Sequence, residues 1–284
     1  MNFRVNIPVR DSCRRDGSCH ERKTGTLSQQ ELLTADFSIP ARERGCGCGC
    51  RACPRRYLAI TGFILGAFLI LHLTVNALGL LPSAFQTVVN HIYGLGAALP
   101  VLEFGLVLAP LAIHVALGLR TLRRERFEVA LEKHHHGSDV RYWLQRVTAV
   151  ILLVFLAFHL ATMHRWGLHL VYGITRWTVL GRYAAGGLFE PHRAFASVSE
   201  SLWHFWDKHT ANPANVLTVQ LYLLGLAAAV YHLANGVATG AEVLGFVPAT
   251  GQRERLWRVC IGAGIVLAAI GMAAWYAFAP GTHP

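Results

Sequence analysis

Four long apolar stretches of the chain each carry one internal histidine: His72, His114, His159 and His232. An imidazole costs free energy to bury in hydrocarbon, so one per stretch, four times over, points to a ligand. The neutral ring is a strong metal donor through either nitrogen. Four rings suffice for two irons with two imidazoles each, as in bis-histidine haems, which are six-coordinate and carry electrons without activating oxygen. Zinc fits less well, because no Cys, Asp or Glu stands one helical turn from any of the four. The competing reading, histidines that merely hydrogen-bond neighbouring helices, accounts for one such residue more readily than for four.

The elements that must position these rings are membrane helices. The chain has 284 residues, a mean hydropathy of +0.37, 53% hydrophobic residues and 15% charged ones, well below the charged share of a soluble domain. The net charge is +10, but the basic residues are grouped between apolar stretches. That pattern suits a membrane face and lipid headgroups, not nucleic acid. Five apolar stretches, 57–81, 95–119, 142–163, 215–240 and 256–279, each approach the ~20 residues that cross a bilayer as a helix. The expected fold is all-α, an integral membrane bundle of five transmembrane helices, since lipid offers backbone groups no partner. Residues 1–54, polar and rich in Arg, Gly and Cys, read as a disordered cytoplasmic tail ahead of a 55–280 membrane domain. No apolar core of a signal peptide precedes Tyr57, so insertion through the first span is expected.

Lys and Arg near the span ends give the orientation. Arg51, Arg55 and Arg56 precede the first span, Arg120, Arg123, Arg124, Arg126, Lys133 and Arg141 lie between the second and third, and Arg253 and Arg255 precede the fifth. The link between the first two spans has neither Lys nor Arg. The expected arrangement has the amino terminus inside and the carboxyl terminus outside. The link 164–214 carries basic residues on the outer side, but long loops obey the charge rule poorly. Its aromatics, Trp166, Tyr172, Trp177, Trp203, Phe205 and Trp206 among them, predict interfacial helices that cap the bundle.

Depth then sorts the histidines. At ~1.5 Å per residue, His72 lies ~24 Å from the inner edge and His159 ~20–27 Å, whereas His114 lies ~9 Å from it and His232 ~15 Å at most. His72 therefore pairs with His159 in the outer half, and His114 with His232 in the inner half. Gly62, Gly66, Gly118, Gly236 and Ala227 to Ala229 flank these positions, as a flat macrocycle between helices would require and as ordinary close packing also would. Arg56, Arg146 and Arg165 stand where haem propionates would emerge, or act as snorkelling anchors. Glu103, the one carboxylate well inside a span, is a candidate proton site. Cys46, Cys48, Cys50 and Cys53 have spacing that suits zinc poorly, and His134, His135 and His136 read as part of a solvated basic loop.

The stretches RRYLAITGFILGAFLILHLTVN, LPVLEFGLVLAPLAIHVALGL, YWLQRVTAVILLVFLAFHLATM and QLYLLGLAAAVYHLANG resemble the cytochrome b membrane anchor of succinate:quinone oxidoreductases and fumarate reductases, in the class with one five-helix subunit and two haems b. The resemblance covers about 55–280, with LQR…H and YHLANG its most specific parts. It implies that His72 and His159 ligate the distal haem and His114 and His232 the proximal one. It also implies a flavoprotein and an iron–sulfur subunit docked on the cytoplasmic face, and a quinone, menaquinone or ubiquinone, that exchanges electrons with this subunit. Some fumarate-reducing members carry a glutamate two residues before the fourth-span histidine, and this chain has Val230 there. Two alternatives remain open: a cytochrome b of a hydrogenase or formate dehydrogenase, and a haem-free metal transporter lined by the same histidines.

Overall fold

A computed structural model describes residues 12–13, 19–20, 54–124, 137–176, 189–206, 212–247 and 250–280. The chain divides into two units, Met1–Pro54 and Arg55–Pro284. In the first, β1 (Ser12–Cys13) pairs antiparallel with β2 (Cys19–His20), a ladder too short to leave a periodic signal. The expected disorder of this tail, Cys46 to Cys53, and His134 to His136 lie outside the described residues.

The second unit is helical: α1 (Pro54–Ala77), α2 (Pro82–Tyr93), α3 (Ala98–Glu103), α4 (Ala109–Arg124), α5 (Gly137–Met163), α6 (Arg165–Thr175), α7 (Ala194–Trp203), α8 (Pro213–Leu244) and α9 (Thr250–Ala277). A π-helical turn, Phe104–Leu108, joins α3 to α4 into one span. Five helical stretches are long and apolar enough to cross a membrane: Pro54–Leu80, Ala98–Arg123, Val140–Met163, Pro213–Leu244 and Gln252–Ala277, with mean hydropathies between 1.7 and 2.2. Their apolar side chains largely face outward; Val101 is 71% exposed, Val154 64% and Ile265 66%. In water such a surface forfeits about 25 cal/mol per Å² of burial, and in hydrocarbon it costs nothing, so this is an all-α membrane bundle.

Local chemistry sets several ends. Asn212 caps α8 by accepting from the Ala214 N–H at 2.9 Å, with Pro213 at the first helical position. Gly245, at φ +84°, closes the same helix in the left-handed conformation that only glycine adopts freely.

Close backbone packing joins the third span to the fourth and the fourth to the fifth. One end of the bundle is capped. There Phe85 and Val89 of α2, Ala194, Val198 and Leu202 of α7, Val219 of α8, and Ala277 and Phe278 form a buried core. Gln86 ties the cap by donating to the Pro191 carbonyl at 2.7 Å and accepting from the Ala194 N–H at 2.9 Å. The long third link thus contributes α6 and α7, and α7 caps the bundle. The link between the first two spans also holds a helix, α2.

Candidate functional site

The structure brings His72 of α1 against His159 of α5, ring centres 6.0 Å apart and planes at 86°. It brings His114 of α4 against His232 of α8, ring centres 6.3 Å apart and planes at 78°. First span meets third and second meets fourth, the pairs that depth alone suggests. The first pair lies toward the capped end and the second toward the arginine-rich end. All four rings are half-buried.

These separations can be tested against a shared metal. With a metal–imidazole bond of about 2 Å and roughly 1.1 Å from each nitrogen to its ring centre, two rings on opposite sides of one metal have centres about 6 Å apart. Near-perpendicular planes are compatible with two axial ligands rotated about a common axis. An edge-to-face contact of aromatic rings covers the same distance range, so what holds each ring matters as much as the spacing.

Three of the four rings have Nδ1 engaged by a hydroxyl. His114 Nδ1 lies 3.1 Å from Thr61 Oγ1, His232 Nδ1 3.3 Å from Thr148 Oγ1, and His159 Nδ1 3.3 Å from the Tyr222 hydroxyl. Tyr222 is in turn 2.6 Å from Thr162 Oγ1. This is the outer-shell arrangement that orients a ligating imidazole and leaves Nε2 for the metal. Phe68 stacks on His72 with ring centres 5.5 Å apart, and Phe155 lies 5.7 Å from His159. Among the described residues no third His, Cys, Asp or Glu joins either pair. Two imidazole donors with no third protein ligand suit a macrocycle that brings its own donors, whereas structural zinc takes four protein ligands and catalytic zinc three.

Polar contacts also fix the helices that carry the rings. Asn235, 3% exposed, donates to Gln145 Oε1 at 2.6 Å, and Gln145 Nε2 donates to the His232 carbonyl at 3.2 Å. Both residues lie in the LQR and YHLANG stretches. Of the flanking glycines, Gly62 abuts His114, where an added Cβ would stand 3.3 Å from Cε1; at Gly66 it would stand 2.5 Å from Leu233 Cδ1, and at Gly118 it would meet nothing within 4 Å.

The remaining expected residues are more scattered. Arg56 is exposed in the first turn of α1. Arg146 is half-buried, its guanidinium 4.1 Å from the Tyr142 ring centre and hydrogen-bonded to the Tyr142 hydroxyl. Arg165 opens α6. Glu103 ends α3 beside the π-helical turn and is exposed. Its charge reaches two groups at the capped end. Burial pushes the His164 imidazole below its ordinary value while Glu103 pulls it back up, and burial, then Glu103, push the Tyr93 phenol up. Thr61, Thr148, Thr162, Tyr222 and His164 join the site only through the fold. Hydroxyls in apolar spans are common, and Thr61, Thr148 and Tyr222 each stand more than fifty residues from the ring they contact.

Comparison of the chain with known protein families, with curated proteins and with solved structures yields no match.

Proposed function

We propose that this chain is the haem b membrane-anchor subunit of a succinate:quinone oxidoreductase, with His72 and His159 as axial ligands of a distal haem and His114 and His232 as those of a proximal one. The observation that carries this reading is the double pairing: two sets of imidazoles on four helices, at 6.0 and 6.3 Å. Haem b held by two imidazoles supplies reversible one-electron transfer at an iron closed to oxygen. The protein's part is to hold the rings, orient them through Nδ1, and exclude water with the apolar spans.

In this reading the arginine-rich end, with Arg55, Arg56, Arg120 and Arg123, faces the bacterial cytoplasm and receives an iron–sulfur subunit and a flavoprotein. Groups held by His114 and His232 and by His72 and His159 would carry electrons between those partners and menaquinone or ubiquinone. Glu103 would handle a proton of the quinone reaction, and Arg56, Arg146 and Arg165 would face propionates. The choice of succinate as electron source rests on the resemblance of the four histidine-bearing stretches. Val230, an apolar side chain 9% exposed, offers no proton site beside His232.

The test is spectroscopic. Membranes holding the full chain should give a reduced-minus-oxidised b-type spectrum with two haems per polypeptide, and succinate should reduce them in the presence of the co-purifying flavoprotein. A chain purified without b-type absorption would refute the haem assignment. Haems that formate or hydrogen reduces, and succinate does not, would place the subunit in a different respiratory complex.

A further inference from the structure

The first and third spans repeat one another. Aligned at a constant offset, Thr61, Ile64, Leu65, Phe68, Leu69, His72 and Leu73 correspond to Thr148, Ile151, Leu152, Phe155, Leu156, His159 and Leu160. Each span therefore carries a threonine eleven residues before its histidine. Eleven residues of α-helix advance about 16 Å and return to within about 20° of the same face. Each span thus presents its histidine to the pair at the capped end, and its threonine to an imidazole of the other pair.

The donors can be assigned. Thr61 Oγ1 lies 2.8 Å from the Tyr57 carbonyl and 3.1 Å from that of Leu58, and Thr148 Oγ1 lies 2.8 Å from the Leu144 carbonyl and 3.2 Å from that of Gln145. A carbonyl only accepts, so each hydroxyl proton is committed to the threonine's own helix. The oxygen that faces His114 or His232 is then an acceptor, and Nδ1 must carry the ring proton. Nε2 is left with its lone pair. The capped-end pair differs: His159 meets a tyrosine instead of a threonine, and among the described residues no hydrogen bond reaches the His72 ring.

We infer that Thr61 and Thr148 are matched positioning residues that lock His114 and His232 in the Nδ1–H tautomer and hold down the reduction potential of the one centre these two rings share. The inference rests on the haem reading above. A donating Nδ1–H makes the imidazole a stronger electron donor through Nε2, and such a donor favours the oxidised metal. Loss of either hydroxyl therefore raises the potential of the same centre and leaves the other in place.

The experiment is a redox titration of b-type absorption on the full chain in membranes, comparing wild type with Thr61→Val, Thr148→Val, Thr61→Ser, Thr148→Ser and Tyr222→Phe. Both valine variants should shift one and the same centre upward, both serine variants should return it to the wild-type position, and Tyr222→Phe should move only the other centre. If a valine variant drops a haem outright, the same haem must be missing in both. Unchanged potentials with both haems bound, shifts in different centres, or loss of both haems from a valine variant would overturn the inference. A wild-type chain with no b-type haem would instead bring down the reading beneath it.

Discussion

Gly62 tests how tightly the pair at the arginine-rich end is built. It follows Thr61 in α1, so the helix that offers Nδ1 an oxygen also presses its backbone on the imidazole. A methyl group at this position would stand 3.3 Å from His114 Cε1 and 3.7 Å from Nδ1. The first contact is tighter than nearly all real Cβ contacts, and relief requires the ring to give by a few tenths of an ångström. His114 cannot do so freely, because Nδ1 is held 3.1 Å from Thr61. A metal site tolerates about 0.2 Å in its bond lengths, so the displacement is of the size that matters. Overpacking of this kind costs about 1–3 kcal/mol, which at about 1.4 kcal/mol per tenfold corresponds to roughly 5- to 150-fold weaker retention of the bound group. Gly62→Ala should therefore release haem from the His114–His232 centre faster into an excess of a haem-scavenging apoprotein, with the two centres separated by potential. Gly262→Ala on the fifth span is the control, since an added Cβ there meets nothing within 4 Å. Wild-type release from both centres in Gly62→Ala, or loss confined to the His72–His159 centre, would refute the reasoning.

Alanine at His72 or His159 should remove one b-type centre, and alanine at His114 or His232 the other; pigment analysis of the purified variants decides, and two centres retained in all four would end the ligand assignment. Gln145→Leu strips the buried Asn235 amide of its 2.6 Å acceptor and the His232 carbonyl of a donor, which should cost about 1–3 kcal/mol. Asn235→Leu should cost a similar amount and the double variant less than the sum, measured as melting temperature in detergent; strictly additive losses would show that the two amides do not act together. His164 has a folded-state pKa below its ordinary 6.5, with burial the main cause, so the unfolded chain binds the proton more readily. The stability linked to this group is complete above about pH 6.5 and falls as pH drops below it. His164→Asn should flatten that decline in thermal melts between about pH 8 and 5, and an unchanged slope would show that other groups govern it.

What could be read from the chain divides along physical lines. Five runs of apolar residues are visible to any hydropathy window, and depth follows from counting residues to the nearest arginine, because a span has only one long dimension. His72 could thus be matched to His159 without knowing which helices touch. The capping helices were harder. Aromatic content pointed to α7, yet α2 escaped notice although it begins with the helix-starting Pro82 and buries Phe85 and Val89. Its apolar face is defined by a partner, α7, that lies about a hundred residues away in sequence.

The hydroxyls beside the rings were missed for a different reason. A ligand and its outer-shell partner sit on different helices, so no local window contains both: Thr61 serves a ring fifty-three residues away and Thr148 one eighty-four away. The recoverable signal was a comparison of spans with one another, since both threonines keep the same eleven-residue spacing to a histidine. That spacing also explains why spans one and three each serve two sites. A helix that crosses about 30 Å of hydrocarbon is long enough to carry a ligand at one depth and a support for another ligand some three turns away. Spans two and four carry the rings that these threonines support, and span four also serves both sites, because it adds Tyr222 toward His159. The ligands and their supports thus all come from the first four spans, and the fifth, Gln252–Ala277, which has no internal histidine, packs on the fourth.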